Sequence, residues 1–530
     1  MSHNPVALLG FDACDIGVVR GLVKSGKLPT FRRLLESWAY ARVRNPHGFF
    51  VNSVWPSFFT GKSAGRLGFH CWETISPHYE RRLTSPLEIR GQPFWYRLAD
   101  AGRKVAVLDI PHSRSAERKD MLEVSEYGAH DRHFGLRTSP TALRDQIVSQ
   151  FGFHPVFTVE PYVEKLFAVD DYVHRAGALR TEEEEGLLLR DLSDGLPRKL
   201  DLSKWIYCQN NWDLFMSVFG EGHAIGHQLW HLHDPTHPRH NSALAHQLGD
   251  PIEQIYGGLD RALEDHLAVL HPETTVFVLF SHGMRAHYDG TYILEPALAR
   301  FDEYDRLGIR GSLGGRIVKM VWQQLNDVSR DTITPTLTAA LRRHIRMHPS
   351  PPYFENDIGP AARSRQRYFM SPNNSVFGGV RINLKGREPA GLVSSGVEFD
   401  AVCEQLKHDL KSLINIETGD SVVRSVERTD MHYQRDRIDE LPDLLIDWNH
   451  KTPVETVWSP KTGVINAPYW HWRTGDHRPG GLLLARGPNI PAGADLGLIE
   501  NRDLGSTICA LLGVDLADVD GSPMRALMPS

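Results

Sequence analysis

Six short apolar runs dictate most of what this chain can fold into. Val6 to Leu9, Lys104 to Ile110, Leu214 to Phe219, Thr275 to Phe280, Leu444 to Trp448 and Leu482 to Ala485 each have the length and β-rich content of a strand buried on both faces. Helical patterns lie between them, at Leu28 to Leu35, Pro251 to Leu270 and Phe399 to Leu413. Buried runs alternating with helices predict an α/β fold, a mostly parallel central sheet flanked by helices.

At 530 residues the chain exceeds what one core usually supports, so the sheet is expected to carry sizeable insertions. The core is assigned to residues 1–300 and 430–530, with a largely helical insertion over about 137–201. Residues 301–429 read as an inserted cap region with one segment returning to the core; within it Arg343 to Arg367, rich in Pro, Arg and His, reads as loop. The acidic run Glu182 to Glu185 reads as a solvated helix start.

Composition serves mainly to exclude. Hydrophobic residues at 41% and charged residues at 23% rule out a disordered or fibrous chain. A net charge of -6 over this length gives no sign of a nucleic-acid or membrane surface. The N-terminal MSHNPVALLGFD shows no signal-peptide pattern, and no apolar run approaches the ~20 residues that span a bilayer. Five scattered cysteines, Cys14, Cys71, Cys208, Cys403 and Cys509, suit neither a disulfide framework nor a thiolate zinc knuckle. A reduced, cytoplasmic setting is expected.

Ligands of open α/β sheets sit outside the carboxyl ends of the strands, so residues just past each run carry the information. Asp12 follows the first run; His223 and His227 follow LFMSVF; His282 follows TVFVLF; His477 precedes the last run. His223 and His227 are four apart, which on a helix turns both rings to one face where they can share a cation. Such spacings also arise by chance among 27 histidines, as His344 and His348 do in the basic loop. What sets the first group apart is that every member falls at a strand end. Glu221, two residues before His223, can orient a ligand or accept a proton, or can simply favour a helix dipole. His231, His233 and His237 continue the histidine-rich stretch, with His231 one turn beyond His227.

The segments GFDACD with KLPTFRRLLES, WPSFFTGKSAGRLGF, WDLFMSVFGEGHAIGHQLW, LFSHGM, GVRINLKGREPAG, LPDLLIDW, TGDHRPGGLLLARGP and ICALLGVDLADVDG resemble, in family order, those of the type I phosphodiesterase and nucleotide pyrophosphatase branch of the alkaline phosphatase superfamily. The resemblance runs from residue 6 to about residue 522 and implies that superfamily's α/β fold. It implies two metal ions, commonly zinc, and a Ser or Thr that attacks phosphorus and forms a covalent intermediate. Carried over, the ligands of the first ion fall on His223, His227 and His477, with His223 in place of an Asp. Those of the second fall on Asp12, Ser281 and His282, with Ser281 in place of an Asp. The hydroxyl position falls on Val51, which leaves Ser53, two residues on, as the candidate nucleophile or as the cap of a helix starting near Trp55; the family's later His is Leu67. Asn383, Lys385 and Arg387 belong to a segment typical of the branch, and Asn383 with Arg387 is a candidate hold on an anionic substrate.

Three neutral imidazoles in the first site leave an ion its full charge, which can lower the pKa of its water to roughly 7. The expectation is therefore one or two Zn2+ ions, with Mn2+ as a substitute, acting on a small-molecule phosphate ester through Ser53 or an activated water. A sulfatase is excluded by the lack of its Cys/Ser-x-Pro/Ala-x-Arg motif near Ser53. A transferase or binding protein that keeps the metal site without the usual hydroxyl is the alternative reading.

Overall fold

All six residues of strand β1 (Val6–Phe11) are buried, because the strand lies inside the central sheet with apolar layers on both faces. The computed structural model describes residues 3–129, 134–156, 180–307, 358–433, 438–466 and 473–528. The nine strands of the sheet are, in chain order, β1, β2 (Ala39–Arg44), β3 (Val105–Leu108), β4 (Leu122–Ser125), β5 (Arg137–Ser139), β6 (Leu214–Phe219), β7 (Thr275–Phe280), β8 (Gly481–Arg486) and β9 (Asp495–Glu500). Across the sheet they stand β9-β2-β8-β7-β1-β6-β3-β4-β5. All are parallel except β8, antiparallel to both neighbours, and β5 at one edge. Among the described residues no helix is long and apolar enough to cross a membrane.

Four of these strands escaped the sequence reading for two reasons. AYARVR in β2 alternates buried and solvent-facing residues, with Arg42 and Arg44 outward, and β9 is mostly half-buried, so neither reads as a continuous apolar run. The two strands β4 and β5 are only four and three residues long. In the other direction, Leu444 to Trp448 is a strand but not of this sheet. It pairs with Phe377–Ile382 and Val423–Arg428 in a separate four-stranded antiparallel sheet completed by Tyr368–Ser371. That sheet builds its own apolar cluster with the helices Thr291–Leu307 and Val397–Lys411. The chain placed in the core from residue 430 thus first finishes this second lobe, and rejoins the central region at Gly475–Arg478.

Side chains satisfy the free N–H groups at the start of some helices, but not of Phe50–Thr60 or Glu221–His233. Helix α1 (Phe50–Thr60) ends at Gly61 in the left-handed conformation. In α2 (Glu182–Tyr207) the Thr181 hydroxyl and Glu184 form a capping box, which explains the acidic run as a helix start. The third, α3 (Glu221–His233), follows β6 directly. In α4 (Pro251–Leu267) the Asp250 side chain accepts from Ile252 and Glu253. Buried Asp260 of α4 accepts from the backbone N–H groups of Thr30 and Phe31 at 3.1 and 2.7 Å, capping the helix Pro29–Ser37 from outside it. Of the helical insertion, Leu143–Phe151 and α2 are described, while 157–179 lies outside the described residues, as do His344 and His348.

Several histidines are core residues. His266 on α4 is fully buried beside Phe215 and Tyr207, with the Ser203 hydroxyl 2.9 Å from Nε2. Burial pushes His266, His70 and His237 each down to about 4. An unfolded chain takes up these protons below its ordinary value near 6.5, the folded chain only near 4, so stability is lost as pH falls through that window. The expected slope is roughly 1.4 kcal/mol per pH unit for each such ring. Urea unfolding between pH 6.5 and 4.5 should show this fall, and His266→Gln should reduce the slope by about one proton's worth; an unchanged slope overturns the assignment.

Candidate metal centre

The ends of β1, β6 and β7 deliver Asp12, the start of α3 and Ser281–His282 to one place at the carboxyl edge of the sheet. The fourth contribution comes from the ribbon in which Gly475–Arg478 pairs antiparallel with Gly283–Ala286, setting His477 opposite Met284. Gly475 makes that approach achievable. A Cβ there would stand 2.0 Å from the Gly226 carbonyl oxygen and 2.9 Å from the Trp230 Cβ, so a larger residue would push the ribbon off α3.

With every ring neutral, as metal ligation requires, hydrogen bonding fixes which nitrogen of each ring carries its proton. Carboxylates and carbonyls only accept. The Nδ1 of His223 lies 2.6 Å from Asp12 Oδ2, and Nδ1 of His227 lies 2.8 Å from the Gly475 carbonyl, so both Nδ1 atoms donate and both Nε2 atoms present lone pairs. Ser281 gives its one hydroxyl proton to Asp12 Oδ1 at 3.1 Å, so His282 Nδ1, 3.0 Å away, must donate to the serine oxygen. That leaves His282 Nε2 to accept from His477 Nδ1 at 3.0 Å, and His477 Nε2 faces His227 Nε2 at 3.1 Å. Two lone pairs therefore confront each other across 3.1 Å, an arrangement that a cation between them relieves. Donor atoms of His223, His227 and His477 all lie within 4.8 Å of one another. Burial and the neighbouring imidazoles hold His477 well below its ordinary value, which keeps it a neutral ligand.

These contacts fit a metal with oriented ligands, since ligating histidines characteristically donate their second N–H to a carboxylate or carbonyl. The structure thus brings together Asp12, His223, His227, His282 and His477, all nearly inaccessible to solvent. Asp12, however, has both oxygens engaged: Oδ1 accepts from Trp55 Nε1 at 2.8 Å as well as from Ser281, and Oδ2 faces His223. Burial alone would raise its carboxyl; His223, His282 and Trp55 outweigh that and hold it far below the usual carboxylate range.

Other candidates lie elsewhere. The fully buried Ser53 is the fourth residue of α1 rather than its cap, because the helix starts at Phe50, and its hydroxyl donates to the Phe69 carbonyl at 3.3 Å. From α1 it is Phe50 that meets the histidines, edge-on, with ring centroids 5.8 Å from His282 and 6.5 Å from His477. Val51 is half-buried against the Phe49 and Phe50 cluster. The fully buried Glu221 turns to the equally buried His154, 3.4 Å away. Asn383 is spent inside the second lobe, accepting from the Tyr79 hydroxyl at 2.9 Å and donating to the Gln366 carbonyl at 2.9 Å. Arg387 makes a bidentate pair with Asp443 at 2.7 Å and also contacts Glu388; Lys385 bonds Ser394. His231 pairs with Glu185 and Thr474, His233 with Asp250, and His237 stacks on Tyr288.

Two participants went unread in the sequence. Arg473, three residues before Asp476, points Nη1 at His227 Nε2 from 3.5 Å, and Trp55 anchors Asp12. Neither has a spacing signal, since the first comes through a loop and the second from a helix face.

The family model described as type I phosphodiesterase / nucleotide pyrophosphatase matches residues 6–477. Curated protein sequences return no match. Similar solved structures include murine ectonucleotide pyrophosphatase/phosphodiesterase 5, at 12% identity, 98% coverage of this chain, 97% of that one and a TM-score of 0.45. An inactive form of the murine protein in complex with AMP gives 13% identity with the same coverages and TM-score. The human counterpart gives 12% identity, 98% and 97% coverage and 0.44. The family match opens on β1 and closes on His477, spanning every member of the histidine cluster, and the chain belongs to the type I phosphodiesterase/nucleotide pyrophosphatase family.

Proposed function

We propose that this protein is a metal-dependent hydrolase of phosphate diesters or phosphoanhydrides, with one ion held by Nε2 of His223, His227 and His477 and water as the nucleophile. The observation that carries the reading is the approach of His227 Nε2 and His477 Nε2 to 3.1 Å, where neutral rings oriented by Asp12 and the Gly475 carbonyl turn lone pairs toward each other. A Zn2+ or Mn2+ ion at that point would supply the positive charge that neutralises phosphoryl oxygens and brings a water's pKa to roughly 7.

The chain's own groups do the rest. Asp12 fixes the His223 ring and its tautomer, and the Gly475 carbonyl does the same for His227. Arg473, beside His227, is placed to take an anionic oxygen of the substrate, and three uncharged ligands leave the site net positive toward such an anion. Phe50 lies against His282 and His477, limiting water on that side. Asp12 is assigned an orienting role instead of ligation to a second ion, because both of its oxygens already accept hydrogen bonds. Ser53 is not assigned the attack, since its hydroxyl is committed to the Phe69 carbonyl. A reduced, cytoplasmic setting is also proposed, supported by the unpaired thiols of Cys14, Cys71, Cys403 and Cys509 in the interior and of Cys208 at the surface.

An assay on bis(4-nitrophenyl) phosphate with added Zn2+ or Mn2+ tests the nucleophile. Ser53→Ala should retain activity within about threefold, while His227→Ala should lose one equivalent of tightly bound ion and at least ~100-fold in rate. Loss of activity in a folded Ser53→Ala variant would restore the covalent serine; a wild type inactive on diesters and anhydrides would favour the transferase or binding-protein reading. Separately, Asp12→Asn should weaken Zn2+ affinity roughly 10–100-fold by chelator competition without removing a ligand. Abolished binding would instead make Asp12 a direct ligand.

A further inference from the structure

A second cluster with metal-ligand chemistry stands outside the site above, where the two lobes meet. His47 lies in the loop that leaves β2 of the central sheet, while Glu427 is the last residue but one of the strand Val423–Arg428 in the second sheet and His432 follows the turn Thr429–Met431. One carboxylate oxygen, Glu427 Oε2, faces both rings: it is 3.2 Å from His47 Nε2 and 2.7 Å from His432 Nε2. The rings stand 4.1 Å apart with 33° between their planes, and the three donor atoms lie within 4.8 Å of one another.

The three side chains are held in place by their surroundings. The Tyr433 hydroxyl donates to the His47 carbonyl at 2.8 Å, locking the loop of one lobe to that of the other. Ser425 Oγ donates to Glu427 Oε1 at 3.1 Å, so the second carboxylate oxygen is occupied and Oε2 is the one presented to the imidazoles. His47 packs edge-on against Phe377 at 5.4 Å. Both histidines line a cavity of about 180 Å³ together with Arg44, Asn45, Ser57 and Arg502. Two buried polar atoms of that lining, Asn45 Oδ1 and Ser57 Oγ, have no hydrogen-bond partner among the described residues. Such groups call for water or an ion's hydration shell in the cavity.

We propose that His47, Glu427 and His432 form a second divalent transition-metal site, a zinc clamp between the central sheet and the second lobe. The donor set decides the class of ion. Two imidazoles and one carboxylate suit Zn2+ and its neighbours, whereas Mg2+ and Ca2+ require oxygen-rich shells. Ligand atoms around a tetrahedral zinc stand about 3.3 Å apart, so small side-chain adjustments convert the present contacts into coordination. The fourth position faces the cavity and takes water. Because its ligands come from both lobes, the ion resists their separation and stabilises the folded chain in proportion to its occupancy.

The test is Zn2+ stoichiometry of the full chain, stripped of metal and titrated against a chromogenic chelator. Wild type should bind two equivalents, His47→Ala/His432→Ala one, and His227→Ala one, so failure of this site and failure of the catalytic site are read separately. The double variant should keep its phosphodiesterase rate within about twofold and lose part of the Zn2+-induced rise in Tm. Glu427→Gln, a near-isosteric change at the chain surface, guards against misfolding of the double variant and should also lose the second equivalent. Unchanged stoichiometry in both folded variants overturns the proposal and leaves a hydrogen-bonded His–Glu–His triad only.

Discussion

The carboxylate of Asp12 is the constraint around which the rest is arranged. Burying an ionised carboxylate costs several kcal/mol, and the structure offsets this with hydrogen bonds from three directions, each worth roughly 1.5–3 kcal/mol to a charged acceptor. Trp55 reaches it from α1, His223 from α3 and Ser281 from the end of β7, while Asp12 itself ends β1. One buried charge therefore ties four elements together. The proton positions of His223, Ser281, His282 and His477 follow from it in sequence, and they end in the nitrogen lone pairs that face inward.

Much of this frame was legible in the sequence, and the limits of legibility are physical. β1, β6, β7 and β8 are continuous apolar runs because each is buried on both faces, and His223 and His227 share a face by helical spacing alone. The strands β2 and β9 were missed because β2 alternates buried and exposed residues and β9, at the edge, stays half-exposed. Ser53 shows a different limit. Its place in the motif depended on where α1 starts, and a shift of the helix start to Phe50 puts an aromatic ring, not a hydroxyl, beside the histidines. Glu221, Asn383 and Arg387 show the commonest limit, since a polar residue near a strand end or in a family segment can equally be satisfied by a buried partner. Tyr79 with Gln366 is that partner for Asn383 and Asp443 for Arg387, while Glu221 faces the buried His154 at 3.4 Å.

The two histidine clusters differ in what their surroundings ask of them. His223, His227 and His477 are sealed from solvent and oriented by a carboxylate and a carbonyl, so their geometry is set before any ligand arrives. His47, Glu427 and His432 keep about a third of their side-chain surface exposed and come from two lobes. The first arrangement favours chemistry on an anion in a low-dielectric pocket, and the second favours holding parts of the molecule together.

The position of β8 carries a consequence for how the molecule is made. Strands β2 and β7 do not pair with each other; each pairs with β8, which begins only at Gly481. On a ribosome, some nine-tenths of the chain therefore emerges while the sheet still lacks the strand that joins β2 to β7, and His477 arrives together with that strand. Contacts this distant in sequence make folding slow and keep the central strands open to wrong pairing until late. On the metal-centre reading proposed above, cation capture at the three imidazoles would be a last event of biogenesis, deferred until the C-terminal segment is in place.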